Sequence, residues 1–253
     1  MEYPVKVVPN PRPLFYFKKR KDRQYGNMLE IADVNVHEQI TNIVNHMCPF
    51  PIRILDIASG EGALSLRLRE SRNKQKFADE FLNVDIRPPK QPLVFDYCQI
   101  NLNDEAQLQT LVDDFRGQFD IILGIETIEH LENPRMYLYY LQELLSDKGH
   151  ILISTPNINN PFTRRRFYKK GILEQFTDKD LKENGHLGVL LPHVVEFMAS
   201  SVGLTLVAEY PLGLYPKFWL HPNKRSLYIT LCNLLLPTVK GSWVKLYIFK
   251  KGE

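Results

Sequence analysis

Glu126, Glu129 and His130 stand at i, i+3 and i+4 in the run Glu126-Thr-Ile-Glu-His130. In a helical turn that spacing aims all three side chains the same way. Two carboxylates and an imidazole so arranged can hold a divalent metal with a further ligand from elsewhere in the chain, or can move protons as acid and base. His186, in Gly185-His186-Leu-Gly-Val-Leu-Leu-Pro192, is the candidate for that further ligand. A second group of residues suits binding. Asp56-Ile-Ala58-Ser59-Gly60-Glu-Gly62 carries glycines where an apolar run gives way to a helical pattern, and glycine lets the backbone approach a ligand closely. A charged ligand end would there meet a helix N-terminus. Asp85, in Asn83-Val-Asp85-Ile86, follows Gly62 by 23 residues, where an acid at a strand end can grip both ribose hydroxyls of a nucleoside. Singly, these are also an ordinary glycine turn and a surface acid. On two successive strands they favour a nucleoside cofactor.

The elements that must position these groups alternate between short apolar runs and helical periodicity, the pattern of a parallel α/β sheet. Strands are expected at Ile52–Ile57, Phe81–Asp85, more weakly Leu93–Cys98, then Phe119–Leu123, His150–Ser154, Leu204–Tyr210 and Trp243–Phe249. Helices are expected at Gly62–Glu70, at Asp104–Phe115 with Asp104 as N-cap, at Pro134–Leu145 with Gly149 closing it, and at Pro192–Ser201. Such alternation over about a hundred residues predicts a doubly wound, Rossmann-like sheet with helices on both faces. Each acidic or glycine-bearing segment above then falls at the carboxyl end of a strand, where ligands of open α/β sheets bind. Residues 1–50 read as an extended, proline-bearing arm with the basic run Lys18-Lys19-Arg20-Lys21 and with Tyr16, Phe17 and Tyr25 as residues to close over the cofactor, followed by a lid helix carrying Ile31, Val34, Ile40, Ile43, Val44 and Met47. Residues 51–253 read as one domain with irregular insertions at about 156–187 and 212–240.

The ordered motifs resemble those of the class I S-adenosylmethionine-dependent methyltransferases. The first motif of that family, D-x-G-x-G-x-G, is matched by Asp56-Ile-Ala58-Ser-Gly60-Glu-Gly62, with Ala58 in place of the first glycine. Asp85 matches the acid ending the second strand, Asn101 replaces the acid near adenine, and Phe119-Asp-Ile-Ile-Leu-Gly124-Ile-Glu126 and Ser154-Thr-Pro-Asn157 resemble the fourth- and fifth-strand motifs. The resemblance covers about Arg53 to Phe249. It implies a seven-stranded sheet whose last strand is antiparallel, with S-adenosylmethionine on Asp56, Ala58, Ser59, Gly60, Gly62, Asp85, Ile86, Asn101, Leu102, Gly124 and Ile125. Asparagine at 101 can still accept a bond from the adenine amino group. A dehydrogenase fingerprint is matched poorly, because Gly60-x-Gly62 runs on into Ala63-Leu-Ser65 without the third glycine.

The E-x-x-E-H run with a later histidine is similar to two branches of that family, the ubiquinone-biosynthesis O-methyltransferases and the small-RNA terminal 2′-O-methyltransferases. The resemblance implies Glu126, Glu129, His130 and His186 as ligands of a magnesium- or manganese-type ion. Other members use the same run without metal, to shape the helix start and the cofactor pocket. Transfer to a hydroxyl needs alignment and a sufficiently basic acceptor, so either a metal or a positioned base must help. Glu129, His130 and His186 are the residues for that role.

On the acceptor side, Arg164-Arg165-Arg166-Phe-Tyr168-Lys169-Lys170 interleaves positive charge with aromatics and suits a phosphate, an anionic headgroup or nucleic acid. A solvated basic face reads the same way. The stretch Leu212–Lys240, with Tyr215, Phe218, Trp219, Lys224, Arg225 and the apolar segment Leu227–Leu236, either packs on the core or offers an amphipathic surface, core packing being the commoner outcome. The resemblance to glycan-associated and lipid-linked-sugar methyltransferases favours a small-molecule, sugar or lipid-linked hydroxyl. An RNA 3′ end is the alternative acceptor, and a non-catalytic cofactor- or partner-binding module the alternative class. Lys and Arg number 32 against 29 Asp and Glu, so total charge, +3, does not mark a nucleic-acid binder. At 44% hydrophobic and 24% charged, the 253 residues suffice for a sizeable core and exclude disordered and fibrous classes. Cys48, Cys98 and Cys232 form no disulfide or zinc pattern. No run is long and apolar enough to span a membrane and the N-terminus lacks a signal-peptide core. A cytoplasmic setting, with surface attachment to a membrane as a compatible option, is the expectation.

Overall fold

The computed structural model describes residues 24–30, 32, 35–90, 92, 94–214, 222–235 and 242–252. The basic run at 18–21, Tyr16, Phe17, Ile31, Val34, Leu93, Tyr215, Phe218, Trp219 and Leu236 lie outside them. A two-stranded hairpin, β1 (Gln24–Tyr25) and β2 (Met28–Leu29), precedes helix α1 (Val36–Met47). The alternating region follows as β3 (Arg53–Ile57), α2 (Ala63–Asn73), β4 (Glu80–Asp85), β5 (Asp96–Gln99), α3 (Glu105–Phe115), β6 (Phe119–Ile125), α4 (Pro134–Leu144) and β7 (Leu145–Pro156). Helices α5 (Pro161–Lys170) and α6 (Asp178–Asn184) occupy the first expected insertion, and α7 (Pro192–Ser200), β8 (Leu204–Leu214), α8 (Lys224–Leu235) and β9 (Ser242–Lys251) complete the order.

Seven strands form one sheet in the order β5-β4-β3-β6-β7-β9-β8. Neighbours from β5 to β7 pair in parallel, while β9 runs antiparallel to both β7 and β8. Successive side chains of a strand point to opposite faces, and the apolar runs serve both. Leu55, Ile57 and Ile122 pack with Leu108, Leu138 and Leu141 on one face. Ile54, Ile121 and Leu123 pack with Ile40, Ile43, Val44, Leu64 and Leu68 on the other. The helix over 36–47 is therefore one of the two layers that cover the sheet. Arg72 is fully buried where α1 and α2 end, and its guanidinium pairs with Asp79 and donates to the Cys48 and Phe50 carbonyls at 2.9 and 2.7 Å. A buried cation is tolerable when its donors are satisfied in this way.

Two local expectations change. Asp104 caps α3 as expected, accepting from the Ala106 and Gln107 amides. Gly149, however, does not close the helix after Pro134: α4 passes directly into β7 at Leu145, and Gly149 lies inside that strand. A side chain there would press on Leu145 Cδ1 and the Phe119 carbonyl at 2.6 and 2.8 Å, so the glycine serves a close strand approach. The weak third strand is shorter than expected and begins at Asp96.

Candidate active site

The loop between β3 and α2 takes left-handed backbone at alternate residues, Ala58 (φ 59°), Gly60 (φ 58°) and Gly62 (φ 82°). Alanine at 58 thus holds the conformation that glycine would take without strain. The Ser59 amide donates to the Val84 carbonyl at 3.0 Å and the Gly60 amide to Asp85 Oδ2 at 2.8 Å, which ties the loop to the end of β4. Asp85 Oδ1 accepts from the Arg87 amide at 3.0 Å. Each carboxylate oxygen keeps further acceptor capacity. Among the described residues no side chain caps the N-terminus of α2, and Ser59 Oγ is buried without a partner. An uncapped helix start and an orphaned hydroxyl beside a strand-end acid fit a nucleoside cofactor.

Asp56 sits beneath this loop, buried, and accepts from Ser65 Oγ at 2.7 Å. Burial pushes its carboxyl up to about 7, against the opposing effect of the Ser65 bond. Asn101 Oδ1 accepts from the Asn103 amide at 3.0 Å in a side-chain turn, so part of its acceptor capacity is already used. Ile86 is exposed, and Leu102, the residue after Asn101, is buried. Gly124 is buried at the other side of β6, where its missing side chain makes room for the Tyr137 hydroxyl. Ile125 packs on the α1–α2 face. The hairpin reaches the same loop: the Leu29 amide donates to Glu61 Oε2 at 3.2 Å, while Tyr25 pairs with Glu70 and lies under Arg67.

Beyond β6 the chain does not form the helical turn that would align Glu126, Glu129 and His130. Glu126 has φ 52°, and a single 3-10 turn covers Ile128–His130. The left-handed residue breaks the i, i+3, i+4 relationship, and Glu126 instead accepts from Ser154 Oγ at 2.9 Å. Glu129, His130 and His186 do converge, with one ligand atom of each within 4.8 Å of the others. Glu126 is not one of this group.

His186 is brought in by backbone bonds. The Leu187 and Gly188 amides both donate to the Glu129 carbonyl, at 2.9 and 3.1 Å. His130 Nδ1 lies 3.2 Å from the Gly185 carbonyl and His186 Nδ1 2.6 Å from the Gln175 carbonyl. A carbonyl only accepts, so each Nδ1 carries the proton and each Nε2 is left as the acceptor nitrogen. His130 Nε2 is 4.0 Å from Glu129 Oε1, and the two rings meet edge to face at 4.8 Å. Glu129 is 0% exposed and, among the described residues, neither carboxylate oxygen has a hydrogen-bond partner. Burial pushes this carboxyl up to about 8; the nearby Thr155 hydroxyl tempers the shift without reaching hydrogen-bond geometry. Burial, and next the His186 imidazole, push His130 down. A buried unpartnered carboxylate beside two imidazoles whose far nitrogens are anchored fits a divalent cation. The two-nitrogen, one-oxygen donor set suits manganese, iron or zinc better than magnesium.

On the acceptor side the four basic and aromatic residues part ways. Arg165 and Arg166 line a cavity between α5 and α8. Arg164 donates to Asn159 Oδ1 and Tyr168 is 91% exposed. Sequence reasoning missed Trp243 as a member of this cavity and placed Arg225 only on an acceptor-side amphipathic stretch, because nothing in their spacing links them to α5. Helix α8 buries Ile229 but exposes Leu227, Leu231, Leu234 and Leu235, so core packing accounts for only one side of it. No helix among the described residues is long and apolar enough to cross a membrane.

The parallel sheet, its antiparallel β9 and the glycine loop facing a strand-end acid define the Rossmann-like fold of S-adenosylmethionine-dependent methyltransferases. Residues 29–208 match the family model described as a methyltransferase domain, and the chain belongs to that family. The matched residues form a methyltransferase domain with the fold of S-adenosylmethionine-dependent enzymes. A ubiquinone biosynthesis O-methyltransferase of Histophilus somni (strain 2336) is 29% identical over 113 residues, 42% of this chain and 45% of that one. The chain thus spans less than half the length of that relative. A SAM-dependent methyltransferase of Archaeoglobus fulgidus shares the fold with a TM-score of 0.53, at 17% identity over 85% of this chain and 94% of that one. The 1,6-didemethyltoxoflavin-N1-methyltransferase of Burkholderia thailandensis, solved with S-adenosylhomocysteine, shares it with a TM-score of 0.51, at 14% identity over 86% and 78%.

Proposed function

We propose that the chain methylates the oxygen of a hydroxyl on a small-molecule, sugar or lipid-linked acceptor, using Glu129, His130 and His186 to activate that hydroxyl. The observation that supports this reading is the convergence of the three side chains within 4.8 Å around a buried carboxylate that nothing else satisfies. In this reading Asp85 grips the ribose hydroxyls, the Ala58–Gly62 loop and the start of α2 accommodate the charged amino-acid end, and Asn101 with Leu102 borders the adenine. Bound S-adenosylmethionine supplies a methyl group on a positively charged sulfur. His130 or His186 takes the hydroxyl proton at Nε2, its Nδ1 proton held on a backbone carbonyl so that the accepting nitrogen stays oriented. In the alternative form of this reading a divalent cation held by Glu129 and the same two Nε2 atoms would lower the pKa of the acceptor hydroxyl in place of a histidine base. Glu126, braced by Ser154, shapes the turn rather than joining the set. The segment over 1–50 is read as an arm with a helix that borders the cofactor loop, and 51–253 as the methyltransferase domain, the Leu29–Glu61 contact being the support for the first part.

Calorimetric titration of S-adenosylhomocysteine and, separately, of manganese into the chain tests this. Cofactor binding is expected to be lost in Asp85→Ala and kept in the His130→Ala/His186→Ala double variant, which loses manganese binding. Full methyl transfer by that double variant on an acceptor used by the unaltered chain would overturn the role given to the histidines.

A further inference from the structure

The charge of helix α5 is gathered over one cavity. A space of about 330 Å³ separates α5 from the start of α8 and is lined by Arg165, Arg166, Lys169, Lys170 and Arg225. Among the described residues Glu174 is the single acid in its wall, and its carboxylate is paired with Arg166 at 2.9 Å. Among the described residues no carboxylate pairs with Arg165, Lys169, Lys170 or Arg225. Arg166 Nε is buried without an acceptor. The floor is aromatic, Phe162 stacked on Trp243 with ring centroids 5.9 Å apart at 17°. Arg165 also lies over Tyr228 at 5.6 Å. Five cations around a stacked aromatic floor form a site whose charge an anion would balance. Solvated lysines alone would spread outward instead.

The cavity is joined to the imidazole pair through two consecutive residues. Glu174 lines the cavity, and the carbonyl of the next residue, Gln175, holds His186 Nδ1. It is also at the carboxyl end of β7, because the Asn157 amide donates to the Trp243 carbonyl at 2.7 Å. This is the end of the sheet that carries the cofactor loop.

We propose that this cavity is a phosphoryl-anion subsite, and that the acceptor of the methyl group bears a phosphate or pyrophosphate seated there. The anion-binding part stands on the cavity alone; its role as acceptor subsite rests on the methyl-transfer reading above. The phosphoryl oxygens take charge-assisted hydrogen bonds from Arg165, Lys169 and Arg225, and the stacked rings carry the apolar or ring portion next to them.

The test is titration of inorganic pyrophosphate at fixed ionic strength, read by tryptophan fluorescence in a Trp219→Phe background that leaves Trp243 alone, and by calorimetry on the unaltered chain. Saturable binding is expected in both. Arg225→Ala and the Arg165→Ala/Lys169→Ala pair, all exposed positions, are each expected to weaken it about tenfold or more. Lys148→Ala, an exposed cation at the opposite end of β7, should leave it unchanged. No saturable binding by either measurement, or equal weakening by Lys148→Ala, overturns the subsite. Vesicles containing phosphatidylglycerol distinguish the source: capture that depends on the same residues assigns the anion to a lipid headgroup, and pyrophosphate binding without capture assigns it to a soluble phosphorylated acceptor. Affinity for single-stranded RNA that grows with length and exceeds that for pyrophosphate more than tenfold overturns the proposal in favour of a nucleic-acid face. Pyrophosphate has no methyl-accepting role here, so these outcomes are independent of the cofactor titration that tests methyl transfer.

Discussion

The hydroxyl of Tyr137 fills the space where residue 124 would carry a side chain. A methyl group built on Gly124 would overlap that hydroxyl and stand 2.9 Å from Ile153 Cδ1. Tyr137 is fully buried and its hydroxyl has no hydrogen-bond partner. Gly124→Ala is therefore expected to cost about 1–3 kcal/mol by overpacking. Tyr137→Phe removes the crowded and unsatisfied oxygen, so the double variant should recover most of that loss. Thermal unfolding of the two single variants and the double one checks the coupling; purely additive effects would mean that the two residues do not share the space.

Glu129→Gln exchanges a buried, unpartnered carboxylate for a neutral amide of similar shape. In the presence of chelator at pH 9, above the carboxyl value of about 8, the variant is expected to be more stable than the unaltered chain by about 1–3 kcal/mol. Methyl transfer should fall steeply at the same time. A variant that is less stable under chelator would show that the carboxylate already has a strong partner inside the protein.

Ala58 holds left-handed backbone at φ 59°, which an L side chain resists. Ala58→Gly relieves that strain but loosens the unfolded chain, and a net gain of about 0.5–1 kcal/mol is expected. Thermal unfolding measures it. Loss of stability on this exchange would contradict the loop conformation itself.

Asp56 gives the fold a pH dependence of defined sign. Its folded carboxyl lies at about 7, raised by burial from the usual aspartate range near 4. Between those values the folded chain retains a proton that the unfolded chain has released, so stability falls as pH rises from about 4 to about 7. Asp56→Asn removes this contribution and keeps an acceptor for Ser65. The variant's advantage over the unaltered chain should grow across that window by up to about 4 kcal/mol and level off above it. A difference that stays flat from pH 4 to pH 8 would remove burial of this carboxyl as a source of pH dependence.

The strand ends were readable in the amino-acid order because they rest on local physics. Apolar runs such as Ile54–Ile57 and Phe119–Leu123 must be buried on both faces, which dictates a parallel sheet, and parallel pairing places Gly60, Asp85 and Glu126 together at its carboxyl edge. Asp104 announces its helix because a side-chain oxygen satisfies amides only two or three residues away. Convergence of the reactive groups was decided elsewhere. The positive φ of Glu126 takes it out of line with Glu129, and the Leu187 and Gly188 amides, some sixty positions on, dock on the Glu129 carbonyl and carry His186 in. Neither leaves a trace in spacing, because a backbone bond across such a separation depends on the path of the whole intervening chain. The same holds for the basic helix: seven consecutive residues show charge and aromaticity, but only the packing of α5 against α8 selects Arg165 and Arg166 for a shared cavity with Arg225 and leaves Arg164 and Tyr168 outside it.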